Sequence, residues 1–141
     1  MPALLKSVCY CTNLRQSANV ISEFYDAELK EAGLTTPQYR LLINLKRLGS
    51  ANITHWAEAV GLDRSTMVRN IKPLRAKGFL TQADGHGKVF ILSPKGESAL
   101  ETAIPLWNIA QKKVENFLGE ENAQAILRIG DKLQNLKAQM L

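Results

Sequence analysis

A mostly α-helical chain with one small β-wing is what this 141-residue sequence predicts. Three observations predict it. Residues 53–78 hold two amphipathic stretches either side of Gly61, at the spacing of two crossed helices. Residues 79–92 hold two short β-prone runs around Gly85-His86-Gly87. Both ends of the chain carry long apolar repeats three and four residues apart. A helix-turn-helix followed directly by a hairpin is a winged helix.

Composition narrows the class. With 45% hydrophobic residues the chain buries a real core and is not disordered. Its formal net charge of +5 favours a polyanionic partner. No apolar run approaches a membrane span, and MPALLKSVCYC is too short for a signal peptide, so a cytoplasmic location is expected. Two cysteines make no disulfide framework. The expected organisation is a single chain over 1–141. Residues 34–93 form the winged helix, and 1–33 with 94–141 form helices for dimerisation.

The first helix is expected over 5–32, with Leu14, Ala18, Ile21, Tyr25 and Leu29 as its buried seam and Gly33 as its stop. Thr35 or Thr36 caps the second, whose first turn holds Pro37. Its inner side is Tyr39, Leu42, Ile43 and Leu45, and Leu48-Gly49 ends it. Asn52-Ile53 reads as a short strand pairing with the wing. Thr54 is the expected cap of a helix over 55–60, with Trp56, Ala57 and Val60 as its apolar edge.

Asp63 is the expected cap of the next helix, and Gly78 its left-handed stop. Met67, Ile71 and Leu74 fall on one side of it. Ser65, Arg69, Lys72 and Ala76 fall on the other, flanked by Arg64 and Val68. A solvated helix face usually mixes both charge signs, and this one has no acid. Pro73 lacks an N–H, which predicts a bend or a lost backbone bond. Strands over 79–84 and 88–92 follow. Ser93-Pro94 then starts a helix running to about Phe117 past Pro105. After Gly119, the residues Ile126, Ile129, Leu133, Leu136 and Met140 form the seam of a final helix.

The acid-free face points to double-stranded DNA, read by a recognition helix. Arg64, Ser65, Thr66, Val68, Arg69 and Lys72 are the helix contacts, with His86 and Lys88 on the wing. The terminal helices carry more apolar surface than one winged helix needs. That surplus predicts a homodimer, which suits a palindromic operator. No catalytic set stands out, because His55 and His86 are isolated and no phosphate-binding glycine loop is present. Cys9-Tyr10-Cys11 is spaced more tightly than zinc ligands are. The expectation is therefore no enzyme, no cofactor and no metal.

The order of parts resembles a known family. "GLTTPQYRLL", "ITHWAEAVGLDRSTMVRNIKPLRAKGFL" and "ILSPKGESAL", set between terminal helices, resemble the MarR family of bacterial transcriptional regulators. Family residues just inside the recognition helix match Arg64, Ser65, Thr66 and Arg69. The resemblance implies an obligate dimer with a helical base, and repression relieved by a small molecule or by oxidation. Family wings usually carry an acid followed by two arginines. Here Asp84, His86 and Lys88 stand in a shorter loop, so the recognition helix is expected to carry more of the specificity.

Two effector readings follow from the resemblance. A phenolic or anionic small molecule would be lined by Arg15, Tyr25, Tyr39, His55, Trp56 and Trp107. Alternatively, Cys11 falls where the peroxide-sensing branch has its reactive cysteine. Tyr25 matches one of that branch's two tyrosines, and Thr36 replaces the other, so the sensing site is incomplete. A helix over 7–15 would turn Cys9 and Cys11 to nearly opposite sides, about 200° apart. Cys11, with Tyr25 and Arg15 on its face, is expected to carry any oxidative response, and the expected outcome is no response. A winged helix that binds protein is the rival from another class.

Overall fold

A computed structural model describes residues 8–140. It contains α1 (Tyr10–Leu29), a 3-10 turn (Lys30–Ala32), α2 (Thr36–Leu48), β1 (Ala51–Asn52), α3 (Ile53–Val60) and α4 (Arg64–Ala76). β2 (Leu80–Gln82), β3 (Val89–Leu92), α5 (Pro94–Leu118) and α6 (Glu120–Ala138) complete it. The predicted fold class is the one observed: helices around a three-stranded antiparallel sheet of order β1-β3-β2. The chain divides into two compact units after Trp107, within α5.

In the first unit, α1 begins later than its apolar repeat suggests. Cys9 is extended, at φ −74° and ψ 119°, and serves as the N-cap residue, so the helical turn expected over 7–15 starts only at Tyr10. Residues 5–7 of the expected helix lie outside the described residues. Leu14 and Ala18 are exposed and Ile21 is half-buried, so only Tyr25 and Leu29 of the expected seam reach the core. The helix tightens into the 3-10 turn and stops at Gly33, φ 72°.

Thr35, and not Thr36, caps α2. Its hydroxyl accepts from the Gln38 N–H at 3.3 Å while the Gln38 side chain accepts from the Thr35 N–H at 3.1 Å. Thr36 turns back to α1, where Asp26 Oδ1 accepts from both its N–H and its hydroxyl at 2.6 Å. Tyr39, Leu41, Leu42 and Leu45 are buried. Leu41 was not among the expected inner residues, and Ile43 is only half-buried.

β1 sits one residue earlier than the expected Asn52-Ile53 strand, pairing Ala51 with Phe90 and Asn52 with Val89. Asn52 therefore caps α3, accepting from the His55 N–H at 2.8 Å, and Thr54 falls inside the helix. β2 and β3 pair Leu80 with Leu92 and Gln82 with Phe90. The core gathers Trp56, Phe90, Leu29, Leu42, Leu45, Met67, Leu74 and Leu100, all under 2% exposed. Each such side chain contributes about 1.5–3 kcal/mol by leaving water. At the junction into α5, the Ser93 hydroxyl donates to Gly78 O at 2.6 Å and accepts from the Gly96 N–H at 3.0 Å.

The second unit holds the rest of α5 and α6, joined by Gly119 at φ 83°. No residue of α6 is buried. The predicted seam is present on the helix but uncovered: Ile126, Ile129, Leu133 and Leu136 are 40–57% exposed. Among the described residues, no helix is long and apolar enough to cross a membrane.

Candidate nucleic-acid interface

The surface of interest is built by α3, the turn at Gly61, and α4. Gly61 is left-handed at φ 73°, and the Arg40 guanidinium donates to the carbonyl of Val60 beside it. The turn drops Met67, Ile71 and Leu74 of α4 into the core. Arg64, Ser65, Val68, Arg69 and Lys72 are left exposed and Thr66 half-buried. Exposed Glu58 lies on α3, while α4 itself carries no acid and only its cap, Asp63, is acidic.

Asp63 does more than cap. Its Oδ1 accepts from the Thr66 N–H at 2.8 Å and the Ser65 hydroxyl at 2.7 Å, and its Oδ2 accepts from the Thr66 hydroxyl at 2.8 Å. The Thr66 N–H, then the Ser65 and Thr66 hydroxyls, hold the Asp63 carboxyl down at about 2. Arg69 Nη2 in turn donates to Thr66 Oγ1 at 3.3 Å. Arg64 Nη1 donates to Thr54 Oγ1 on α3 at 2.8 Å. Sequence reasoning assigned the cap but missed these side-chain links. A D-x-S/T-T pattern at a cap is the signal that could have found the first of them.

Pro73 leaves the Arg69 carbonyl without its ladder donor, yet α4 continues to Ala76 and Lys77 N–H reaches Pro73 O at 3.0 Å. Gly78 ends it at φ 78°, with Phe79 N–H bonding back to Leu74 O at 3.0 Å. Lys77 Nζ ties this end to the carbonyl of Gly33 at 3.0 Å. In the wing, Gly85 and Gly87 take positive φ, and Asp84 Oδ1 accepts from the His86 N–H at 3.1 Å. His86 and Lys88 are exposed there.

Of the six residues expected around an effector, three come together. Trp107 stacks on Tyr39 at 6.1 Å and lies tilted against Tyr25 at 6.4 Å. Burial pushes the Tyr39 hydroxyl above its usual value. Trp56 goes elsewhere: it is fully buried, packs on Phe90 at 6.0 Å, and spends its indole N–H on Leu41 O. Arg15 and His55 are exposed.

Both cysteines are exposed and neither is in a disulfide. Because Cys9 precedes the helix, they are not two points on one helical turn, and the opposite-sides argument fails. The pairing of Cys11 with Tyr25 also fails within one chain. Fourteen residues of continuous α1 separate them by about 21 Å along the axis. Thr36 is occupied by Asp26. No full cap bond closes onto the Cys9 side chain, but the Thr12 hydroxyl and N–H lie close enough to hold its thiol below the ordinary value. Among the described residues no group of three His, Cys, Asp or Glu is placed to hold a metal.

The MarR family model matches residues 34–84, from the start of α2 to the wing. Over that stretch the chain's winged helix is similar to the MarR family's. Most of the chain also matches solved regulators. It is 28% identical to the Mycobacterium tuberculosis transcriptional regulator MosR, covering 92% of this chain and 98% of that one at a TM-score of 0.74. MosR in complex with DNA matches at 27% identity, 91% and 98% coverage and a TM-score of 0.77. The transcriptional repressor CouR, bound to p-coumaroyl-CoA, shares the fold at a TM-score of 0.81, with 20% identity and 89% and 91% coverage. No curated protein matches the sequence. These matches are to transcriptional regulators.

Proposed function

We propose that the chain is a homodimeric, sequence-specific DNA-binding repressor that binds a palindromic operator and is released by a small phenolic or anionic effector. One observation carries the DNA reading: α4 exposes Arg64, Arg69 and Lys72 with no acid beyond its own cap. Arg69 reads a base edge in the major groove, while Arg64, Lys72 and the wing's His86 and Lys88 hold phosphates. MosR, a structural relative above a quarter identical, has been seen with DNA. On a protein-binding module such a face would carry mixed charge.

The dimer is supported by apolar surface. Tyr10, Leu14 and Val20 on α1 are 48–87% exposed, Phe117 is 90% exposed and Leu127 60%. Large exposed apolar surface of this kind marks an interface. A symmetric pair would set its recognition helices about 34 Å apart, for successive major grooves. For the effector, the Tyr25–Tyr39–Trp107 cluster offers ring faces to a planar ligand.

Electrophoretic mobility shift on the DNA upstream of the chain's own gene is the test. A saturable shift that specific duplex competes and random duplex does not is expected. A folded dimer giving no shift at moderate salt would sink the reading and leave the protein-interaction module. Within it, Arg69→Ala is expected to cost about 1–3 kcal/mol on the operator and less on random DNA.

A further inference from the structure

The hydroxyl of Thr66 has one proton to give, and that proton goes to Asp63 Oδ2 at 2.8 Å. What the oxygen retains is acceptor capacity, and Arg69 Nη2 uses it at 3.3 Å. A phosphate oxygen only accepts, so in this arrangement Thr66 has no proton for DNA. Asp63 itself is anchored three ways and stays charged at any physiological pH.

We infer that Asp63, Thr66 and Arg69 form a relay in which Thr66 is a positioning residue for Arg69, and not a DNA contact. The cap carboxylate orients the Thr66 hydroxyl, and the oriented oxygen fixes the guanidinium one helical turn further on. A long arginine side chain loses rotamer entropy when it is immobilised. Holding it in the free protein removes part of that cost from binding, and the saving applies only where the fork meets its matching base. The relay therefore acts on discrimination between sequences.

This inference rests on the DNA reading above, and its test has an arm that does not. Operator and random-duplex affinities are measured for the dimer as wild type, Thr66→Ser and Thr66→Val, each also with Arg69→Ala. Thr66→Val should lower the operator-to-random ratio by roughly tenfold, the scale of one hydrogen bond to a charged group, with the salt slope unchanged. Thr66→Ser should keep the ratio. With Arg69→Ala already present, Thr66→Val should change it no further. Equal weakening on both duplexes would make Thr66 a phosphate contact and overturn the relay. Loss in Thr66→Ser with retention in Thr66→Val would assign the role to the methyl group and overturn it equally. In the free protein, NMR titration of Asp63 should show a higher midpoint in Thr66→Val than in wild type, and an unchanged midpoint removes the relay whether or not DNA is bound.

Discussion

A Cβ placed on Gly96 would lie 2.3 Å from the carbonyl oxygen of Phe79. The start of α5 thus presses against the backbone where α4 gives way to the wing. Ser93 reinforces the contact, its hydroxyl bridging Gly78 O and the Gly96 N–H. Gly96→Ala must push the two backbones apart, at a cost of about 1–3 kcal/mol. Chemical denaturation should show that loss, with DNA affinity falling as the wing is displaced. An alanine variant as stable as wild type would mean the junction is looser than described.

The uncovered seam of α6 makes a prediction about assembly. Leu133→Glu and Ile129→Glu each place a charge on it without touching the winged-helix core. Sedimentation equilibrium should show a dimer for wild type and a monomer for the double variant, with operator affinity falling steeply. A double variant that stays dimeric would place the interface elsewhere.

How much of this was legible beforehand depended on what each residue had to do. The two-sidedness of α4 was readable because Met67, Ile71 and Leu74 repeat at helical spacing, and burial follows that spacing directly. The cap of α3 was misplaced because Asn52 and Thr54 are both good caps, and only the pairing of Ala51 with Phe90 across the sheet decides between them. Trp56 was assigned to a ligand cavity because an indole on an amphipathic helix looks the same in either role. Its partners, Phe90 and the carbonyl of Leu41, lie far away in sequence. The reach from Cys11 to Tyr25 failed on helix length alone, since sharing a face does not mean being close.

Asp63 gives a pH dependence whose sign is fixed. Its folded value, about 2, lies below the usual carboxylate value of 3.8, so its contribution to stability is fully present above that usual value. It is lost as pH falls through the folded value. Asp63→Asn should therefore lower the melting temperature at pH 7 and make less difference as the pH approaches 2. A gap between the two proteins that widens in acid would contradict the capping account.

Thiol chemistry separates the cysteines in the order opposite to the family-based expectation. With its thiol held low by Thr12, Cys9 should alkylate faster than Cys11 at neutral pH, and Thr12→Val should slow Cys9 selectively. Mass spectrometry of the peptide containing both sites, read over time, resolves the two. Faster modification of Cys11 would restore it as the candidate sensor. With Tyr25 out of reach and Thr36 engaged, an organic hydroperoxide is expected to leave operator binding intact.

The central claim is that an acid-free helix face, doubled by symmetry, binds a DNA operator. Fluorescence anisotropy of a labelled operator against a scrambled duplex, followed over a series of salt concentrations, tests it most directly. Each chain carries +5, twice that per dimer. With Arg64, Lys72 and Lys88 of both chains as the proposed six charged phosphate contacts, the logarithm of affinity should fall with a slope of about −5 against the logarithm of salt. The operator should remain the tighter ligand throughout. A flat salt dependence, or operator and scrambled duplex bound alike at every salt concentration, would contradict it.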